Sequence, residues 1–482
     1  MRAIFEARKQ KRFGDLTQFK PEAIHAALGP DFYDEVQAAR FPAQILRFRN
    51  QKWAEKIGLA GLEDAEWLRH FARFKPFVGS FPKPLALRYH GHQFRHYNPD
   101  LGDGRGFLFA QMRDASGGLL DFGTKGSGET PWSRAGDGRL TLKGGVREVL
   151  ATQMLEALGV NTSKSFSLIE TGEALQRGDE PSPTRSSVLV RLNHSHIRIG
   201  TFQRLAALQQ PDNIEKLLEH TLRYYMPEIS GDNLPDRIGG FLRQVGKNLA
   251  RTVAQWMAAG FVHGVLNSDN INVTGESFDY GPWRFVPTYD PNFTAAYFDH
   301  NGLYAFGRQP SAVGWNFTRL AECFAELAPM AVLNDSLEAY SENLQPELAQ
   351  AIIRRLGLKS NGFLSDITLT NAWFKALYET KAPFEQAFFD WFGNDTGRAQ
   401  RSVSAPLYAA ESFAPVRAAL KDYQPASEES LNHPYFSNAS PCTMLIDDVE
   451  VLWEPIAQRD DWSRFEAKLA QIEQMAAAYH LT

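Results

Sequence analysis

The spacing of apolar residues changes along this 482-residue chain, and that change restricts the possible folds. From about Leu87 to Leu192, short apolar and partly β-branched runs alternate with glycine-rich turns, which is typical of strands. One helix, predicted over 146–158, interrupts them. From about Pro211 onward the apolar residues recur with the helical period, most clearly over 241–257. We therefore predict an α+β protein with a strand-rich N-terminal lobe followed by a helical C-terminal lobe.

These changes of pattern also predict where the domains begin and end. We expect an N-terminal extension over 1–86, a strand-rich lobe over 87–210, a helical lobe over 211–400 and a C-terminal helical extension over 401–482. Ligands often bind between two such lobes.

Composition excludes several classes of protein. The 51 Lys and Arg against 56 Asp and Glu give a net charge of −5, whereas a dedicated nucleic-acid binder is usually basic. No run approaches the ~18 apolar residues of a membrane span, and no apolar segment typical of a secretory signal follows Met1. The two cysteines, Cys323 and Cys442, are far apart and form no disulfide framework. We therefore expect a cytoplasmic protein, without nucleic-acid or membrane partners and monomeric.

Two glycine-rich loops surround a lysine in the strand-rich part. Leu101-Gly-Asp-Gly-Arg-Gly106 precedes one predicted strand, and Lys125 ends the next, before a second glycine-rich stretch that reaches Arg139. An ordinary turn and a solvated lysine are the simplest interpretations. However, a strand lysine beside glycine loops is also how nucleotide-binding folds place a cation on a triphosphate, and Glu148 on the following helix is spaced to pair with that lysine. Asp121-Phe-Gly resembles the kinase magnesium motif but precedes the lysine, so we assign it no role.

Further cations lie at the end of the strand-rich part. Arg191 and Arg198 flank a short turn, and arginines at such a position can bind a phosphate with two hydrogen bonds. The nearby His194 and His196 have no carboxylate or cysteine at metal-ligand spacing, and the same holds for His90 and His92. We therefore do not predict a histidine metal site.

The segment after the long predicted helix resembles a kinase catalytic loop. His263 and Asn270 match the spacing of the histidine and asparagine in His-Arg-Asp-x-x-x-x-Asn, and a predicted hairpin around Gly275 would return Asp279 beside Asn270. An amide and a carboxylate oxygen suit Mg²⁺ or Mn²⁺. Val265 replaces the catalytic-loop aspartate, so ordinary base-assisted phosphorylation is not expected, and Asp269 is the nearby carboxylate that can accept a proton.

Several long motifs resemble the selenoprotein O (SelO) family, whose members are kinase-fold proteins regarded as pseudokinases. In chain order the motifs lie at Tyr89–Phe94, Leu101–Arg105, Lys125–Arg139, His263–Asn270, Asp279–Pro282 and Asp290–Asn316. They cover about 89 to 320 in the order found in that family. The resemblance implies a bilobal kinase-like fold and transfer of AMP from ATP to serine, threonine or tyrosine hydroxyls of proteins, including self-modification.

The resemblance also implies a role for each matching position. The implied nucleotide contacts are Gly102, Gly104, Arg105, Lys125, Asp137, Gly138, Arg191, Arg198 and Asp279. The implied catalytic residues are Asp269, Lys125 and Glu148, and the implied ligands of Mg²⁺ or Mn²⁺ are Asn270 and Asp279. The cysteine or selenocysteine motif near the C-terminus of many relatives has no counterpart after Ala478, so we expect no regulation through a terminal thiol.

Three functions remain open on the sequence. The first is adenylyl transfer, in which Lys125 and the two arginines hold the γ-phosphate deep in the site and leave the α-phosphate in line with the acceptor. The second is uridylyl transfer or protein phosphorylation on the same fold. The third is a non-catalytic ATP-binding scaffold, which would have no need of a complete set of phosphate and metal residues.

Overall fold

The computed structural model of the chain describes residues 19–481, and all structural statements below concern those residues. The strands are β1 (Lys20–Glu22), β2 (Tyr33–Glu35), β3 (Ile45–Arg49), β4 (Leu85–Leu87), β5 (Gly91–Gln93), β6 (His96–Asn98), β7 (Leu108–Arg113), β8 (Leu119–Lys125), β9 (Leu140–Thr141), β10 (Lys164–Leu175), β11 (Thr184–Asn193), β12 (Phe261–Val262) and β13 (Arg284–Phe285).

The helices are α1 (Gln51–Lys56), α2 (Asp64–Phe71), α3 (Leu142–Ala157), α4 (Ile199–Ala207), α5 (Pro211–Tyr225), α6 (Leu234–Ala259), α7 (Gln309–Glu322), α8 (Met330–Arg355), α9 (Phe363–Thr380), α10 (Phe384–Trp391), α11 (Thr396–Arg401), α12 (Ala405–Ala409), α13 (Ala414–Leu420), α14 (Glu428–Leu431), α15 (Ile446–Arg459) and α16 (Ser463–Tyr479). The predicted α+β class, with strands in the N-terminal part and helices in the C-terminal part, is confirmed.

The main sheet is antiparallel, with the strand order β2-β4-β7-β8-β11-β10-β3. β1 pairs with β7, and β9 pairs with β11. Strands β1 to β4 lie in the region expected to be an extension, yet β1 and β4 pair with β7, β3 pairs with β10, and β2 pairs with β4. Most of them are only three residues long, which is too short for alternating hydrophobicity to predict a strand.

The core of this sheet is aromatic. Trp67 and Phe71 of α2 pack on the sheet, where Trp67 stacks on Phe166 with ring centroids 4.9 Å apart and donates to Ser167 Oγ at 2.9 Å. Phe71 contacts Phe122 edge-to-face at 5.2 Å. Offset and edge-to-face pairs of this kind add stabilisation beyond the burial of the rings. The core face of the sheet is therefore covered, and Asp121 and Lys125 of β8 and Arg191 of β11 lie on the opposite face.

The described residues divide into two compact units. The first contains the residues up to Val149 together with Ser163–Phe241 and Asn267–Glu276. The second contains Leu150–Thr162, Leu242–Leu266 and the residues from Ser277 onward. The whole main sheet belongs to the first unit.

The second unit is helical and closes around aromatic side chains and one buried ion pair. Arg355 of α8 donates to Glu385 at 2.6 Å, and its guanidinium also lies 4.9 Å from the ring of Tyr479. Trp391 stacks on Phe413 at 5.9 Å. Throughout residues 19–481, every helix is too short or too polar to cross a membrane.

Candidate active site

The predicted pair of Lys125 and Glu148 is present and buried. Lys125 Nζ, at the end of β8, donates to Glu148 Oε2 of α3 at 2.6 Å. Both side chains are almost completely buried, with 6% and 1% of their surfaces exposed. Burying an ion pair costs desolvation energy, which close contact and further partners must offset. A pair in this position holds the lysine in one orientation.

A second cation reaches the same carboxylate. In the register of β8 and β11, Lys125 lies opposite Leu189 and Gly123 lies opposite Arg191. Arg191 is therefore on the same face as Lys125, and Arg191 Nη1 lies 3.5 Å from Glu148 Oε1. The alternate residues of both strands, including Phe122, point into the aromatic core. Two positive groups thus converge on one buried negative group.

A glycine allows α3 to approach the sheet closely enough for this contact. A Cβ on Gly145 would lie 2.4 Å from Leu168 Cδ1 and 2.7 Å from Ser187 Oγ. Gly145 is one helical turn before Glu148, so the close approach of the helix places Glu148 against the strands. The helix predicted over 146–158 is present but begins at Leu142, because packing on the sheet outweighs the low helix propensity of Gly144 and Gly145.

Arg198 connects the first glycine-rich loop to Asp269. Its Nη2 donates to Asp103 Oδ1 at 3.2 Å, and its Nη1 donates to the carbonyl oxygen of Asp269 at 2.9 Å. Its guanidinium also lies 4.3 Å from the ring centroid of Tyr89, a cation–π contact. Asp103 lies inside the Leu101–Gly106 motif but was not among the residues predicted from the sequence to belong to the site.

Close packing explains why the first loop has glycine at these positions, and the sequence did not show this reason. A Cβ on Gly102 would lie 2.4 Å from the Trp132 ring, and one on Gly104 would lie 2.8 Å from the Trp132 carbonyl oxygen. The two glycine-rich stretches are also bonded to each other, since Gly126 N and Ser127 N both donate to the carbonyl oxygen of Arg105. The loops therefore form one connected structure beside Lys125.

Two of the remaining predicted loop contacts lie nearer the surface than Lys125. Arg105 and Asp137 are exposed, whereas Gly138 is buried with a φ of 65°. Arg177 donates to both carboxylate oxygens of Asp137, at 2.8 and 3.0 Å. Partial burial acts to raise the pKa of Asp137, but hydrogen bonds from Arg177 and the Arg139 amide outweigh it, and the pKa lies below its usual value.

Asp269 and Asn270 lie in a short 3₁₀ helix, Ser268–Asn270. Asp269 is 8% exposed and Asn270 is half-buried. The backbone around Arg198 pairs with the segment that follows, through Ile199 N to the carbonyl oxygen of Ile271 and Val273 N to that of Ile197, each at 3.0 Å. This pairing places Arg198 beside Asp269.

The hairpin predicted between Asn270 and Asp279 is not formed. Gly275 N bonds the Asn272 carbonyl, so the chain turns where expected, but Asn272 bridges to Arg198 and Ser277 bridges to Thr162. Among the described residues, the two arms of this turn do not pair with each other. The backbone of each arm pairs instead with an earlier segment of the chain. The spacing of residues along the sequence cannot predict such long-range pairing.

Asp279 belongs to the second unit, with a φ of 65° and a half-buried side chain. His263, whose position was predicted from the kinase comparison, lies in the same unit, and its Nε2 is 3.0 Å from the carbonyl oxygen of Phe278. This contact fixes the residue before Asp279. In residues 19–481 no group of three or more His, Cys, Asp or Glu side chains is arranged to bind a metal ion.

Asp121, in the sequence that resembles a kinase magnesium motif, lies in the middle of β8 with 1% of its surface exposed. It accepts hydrogen bonds from Gln111 Nε2 at 2.8 Å and from the backbone amide of His196 at 3.0 Å. Burial lowers the pKa of His196 despite this carboxylate. Asp121 thus anchors the turn between Arg191 and Arg198 from within the sheet.

Glu276 holds the same turn from another side, and sequence reasoning missed it. Its Oε2 accepts from His194 N at 2.8 Å and from Asn193 Nδ2 at 3.3 Å. Burial raises the pKa of Glu276 to about 7. The sequence signal was only a glutamate in an otherwise apolar and small-residue segment, which is too weak to predict a partner 82 residues away.

A family model and several named proteins match this chain over most of its length. The family model described as protein adenylyltransferase SelO matches residues 16–473. A protein of Synechocystis sp. PCC 6803 named protein nucleotidyltransferase YdiU is 44% identical over 93% of this chain and 96% of its own length. Proteins of the same name from Trichodesmium erythraeum and Vibrio cholerae are 43% and 37% identical, over 92% and 69% of this chain and 96% and 67% of their own lengths.

The family model extends over nearly all of the described residues and includes both units and every predicted site residue. The resemblance found in the motifs between 89 and 320 is thus confirmed and extends in both directions along the chain. The chain belongs to the protein adenylyltransferase SelO family, a family of enzymes that transfer a nucleotide.

Proposed function

We propose that this chain transfers AMP from ATP to serine, threonine or tyrosine hydroxyls of proteins, including its own, and releases pyrophosphate. The observation that supports this most strongly is the buried convergence of Lys125 and Arg191 on Glu148, with Arg198 nearby in sequence and bonded to the Asp269 loop. Three cations beside two glycine loops suit a triphosphate better than any uncharged ligand. Family membership supports the same proposal.

The proposed assignment of the phosphates follows from charge. Lys125, Arg191 and Arg198 neutralise the β- and γ-phosphates, which become the leaving pyrophosphate. Gly102, Gly104, Arg105, Asp137 and Gly138 are the proposed loop contacts of the nucleotide. With the terminal phosphates held there, the α-phosphorus is the one left in line with the acceptor oxygen.

The proposed chemical step is a displacement at the α-phosphorus. The acceptor hydroxyl oxygen attacks the α-phosphorus and forms a new P–O bond, while the bond from that phosphorus to the oxygen bridging to the β-phosphorus breaks. Pyrophosphate leaves with the electron pair of that bond. The Asp269 carboxylate, only 8% exposed, accepts the hydroxyl proton.

Asn270 and Asp279 are the proposed ligands of Mg²⁺ or Mn²⁺. The donor chemistry fits, since an amide oxygen and a carboxylate oxygen are the hard donors these ions prefer, and both side chains are half-buried rather than enclosed. When bound, the ion would neutralise negative charge on the phosphates. His263 contributes by holding the carbonyl of Phe278, next to Asp279.

The kinase-like fold, the domain boundaries, the cellular compartment and the oligomeric state are also proposals. We infer that residues 87–210 and 211–400 are the lobes of a kinase-like fold, flanked by extensions over 1–86 and 401–482. We also infer a cytoplasmic monomer, and the two buried cysteines, which are not bonded to each other, support a reducing compartment.

The test is to supply ATP labelled at either end. Label from the α-phosphate should enter protein, including the enzyme itself, with release of pyrophosphate, whereas label from the γ-phosphate should not. Asp269→Ala should slow transfer about 10²- to 10⁴-fold with nucleotide binding retained. Asp366→Ala, which removes a carboxylate of similar burial (6%) in the second unit, is the matched control and should transfer normally.

Other outcomes would replace the proposal. Label arriving from the γ-phosphate would make the protein a kinase, and faster labelling from α-labelled UTP would make it a uridylyltransferase. No label from either position, across several acceptors and both metals, would favour the non-catalytic scaffold. Unchanged transfer in excess EDTA would contradict the metal assignment.

A further inference from the structure

A small hairpin, outside the main sheet, lies against the Asp269 loop. β5 and β6 pair in antiparallel register with Gln93 opposite His96, and the two residues between them, Phe94 and Arg95, have φ values of 49° and 66°. Positive φ at both central residues matches the right-handed twist of a tight hairpin but is unfavourable for side chains other than glycine. We call residues 91–98 the β5–β6 hairpin.

Two backbone amides of the β5–β6 hairpin bond the loop that contains Asp269. His92 N donates to Ser268 Oγ at 2.7 Å, and Phe94 N donates to Asn267 Oδ1 at 3.1 Å. Ser268 and Asn267 immediately precede Asp269 in sequence, and Ser268 is fully buried. Movement of the hairpin would therefore displace the residues on which the position of Asp269 depends.

A closed ring of hydrogen bonds fixes this contact. Ser268 Oγ accepts from His92 N, so its single proton is donated to Gln203 Oε1 of α4, at 2.5 Å. The amide of Gln203 then directs Nε2 at His92 Nδ1, 2.7 Å away, which makes that ring nitrogen the acceptor. The Gln203 side chain is thus held by Ser268 and the His92 ring, the Ser268 hydroxyl by Gln203 and the His92 backbone, and the His92 ring by Gln203.

The first residue of the β5–β6 hairpin lies directly on the Asp269 side chain. A Cβ on Gly91 would be 3.1 Å from Asp269 Oδ1 and 3.2 Å from Asp269 Cβ. The neighbouring backbone is also tightly held, since His90 N donates to the Gly200 carbonyl at 3.1 Å and a Cβ on Gly200 would lie 2.1 Å from the His90 carbonyl oxygen. The carboxylate of Asp269 is thus bounded on one side by bare backbone.

We propose that the β5–β6 hairpin orients the carboxylate of Asp269 toward the acceptor hydroxyl, with Gly91, Gln203 and Ser268 as positioning residues. This inference rests on the proposed function, because it takes Asp269 as the proton acceptor. None of the three residues was a candidate in the sequence. Their effect should fall mainly on the transfer step, since Lys125 and Arg191 contact Glu148 and not the hairpin, and Arg198 bonds Asp103 in addition to the Asp269 backbone carbonyl.

The first test adds a methyl group beside the carboxylate. Gly91→Ala should lower kcat for AMP transfer about 10- to 100-fold, because a small misplacement of a reacting group has effects of that size. The dissociation constant of ATP should stay within about 2-fold. Gly118→Ala is the matched control: its Cβ would also meet a carboxylate, Asp114 Oδ2 at 3.2 Å, but in a turn between β7 and β8. That variant should transfer normally.

The second test breaks the ring of hydrogen bonds that joins His92, Ser268 and Gln203. It can still contradict the proposal if Gly91→Ala does not fold. Gln203→Leu should lower kcat in the wild-type background and have no further effect in Asp269→Ala, because a positioning residue acts only through the group it positions. Gln386→Leu, which removes another buried glutamine with one side-chain partner, Asp390 at 2.8 Å, is the control. Ser268→Thr should retain more activity than Ser268→Ala.

The outcomes separate this inference from the proposed function. Normal kcat in both Gly91→Ala and Gln203→Leu would overturn the inference, as would equal losses from Gln203→Leu with and without Asp269. Weakened ATP binding in step with kcat would also overturn it, since that result indicates a structural role. If the wild-type chain transfers no AMP under any condition, the proposed function itself has failed.

Discussion

Glu148 is a single buried carboxylate that faces two cations, Lys125 at 2.6 Å and Arg191 at 3.5 Å. Because the three charges are shielded from water, each depends on the others to be tolerated inside the protein. Removing Glu148 takes away the carboxylate that both cations contact, and removing Lys125 leaves that carboxylate with the more distant Arg191. Lys125, Arg191 and Glu148 therefore act as one unit. In the proposed function, this unit presents the two cations to the phosphates.

We expect Lys125→Ala and Glu148→Ala each to lower the rate of AMP transfer about 10²-fold or more. The double variant should be little worse than either single variant, because both changes break the same contact. Transfer rates measured for all four proteins decide this. Losses that multiply would show that the two residues act independently. Lys83→Ala and Glu35→Ala, which break an exposed pair of nearly the same length (2.7 Å), should leave transfer unchanged.

At the scale of elements, the glycine-rich stretches are built by close backbone contacts. Gly128 N donates to the Gly138 carbonyl oxygen at 3.1 Å, and a Cβ on Gly138 would lie 2.2 Å from the Gly128 carbonyl carbon. Gly138 also has a φ of 65°, which disfavours any side chain. The second glycine-rich stretch therefore closes on itself only with glycine at this position.

Gly138→Ala should lower both stability and ATP affinity, because the added methyl group meets backbone that cannot rotate away. Gly117→Ala separates the two causes: Gly117 also has positive φ, 88°, but nothing lies within 4 Å of its added Cβ. We expect that control to cost about 1 kcal/mol in unfolding free energy, with ATP binding unchanged. Gly138→Ala should cost about 1–3 kcal/mol more. Denaturant unfolding and calorimetry measure both, and equal effects of the two variants would contradict the close-contact explanation.

At the scale of the whole molecule, stability depends on pH through buried histidines in the first unit, which contains the main sheet. His25 and His220 lie with ring centroids 5.9 Å apart, and both are buried. Burial lowers the pKa of His25 to about 4, and burial together with the neighbouring His25 lowers that of His220 to about 3. Between pH 6.5 and these values the unfolded chain binds more protons than the folded chain, so stability falls as pH falls.

The contribution of these two histidines to the unfolding free energy should therefore be greatest above pH 6.5 and decrease progressively toward pH 4, whereas Glu276, with its raised pKa, acts in the opposite direction between about pH 4.5 and 7. His220→Phe keeps an aromatic ring but removes one titrating group, so the difference in stability between variant and wild type should shift by about 2 kcal/mol in favour of the variant between pH 7.5 and 5. The exposed His300→Phe is the control and should follow the wild type. Denaturant unfolding at several pH values is the measurement, and a difference for His220→Phe that does not change with pH would refute the linkage.

The sequence by itself determined the class of fold, the family and the position of most candidate residues, because these depend on local information. Apolar periodicity predicts β7, β11, α3 and α6, and motif spacing marked Lys125, Glu148 and Asp269. The starts of α3 and α6 were predicted several residues too late, since the glycine pairs 144–145 and 239–240 discourage a helix locally and only packing outweighs that.

Only the tertiary structure decided which distant groups meet. Asp103 and Arg198 are separated by 95 residues, His92 and Ser268 by 176, yet each pair is within hydrogen-bonding distance. Spacing along the chain contains no information about such pairs, because the order of strands in the sheet and the course of the β5–β6 hairpin bring them together. For the same physical reason, the arms of the turn at Gly275 bond earlier segments instead of each other. The chemical groups of a residue follow from its type, which the sequence gives directly. The tertiary structure determines which distant partner orients that residue.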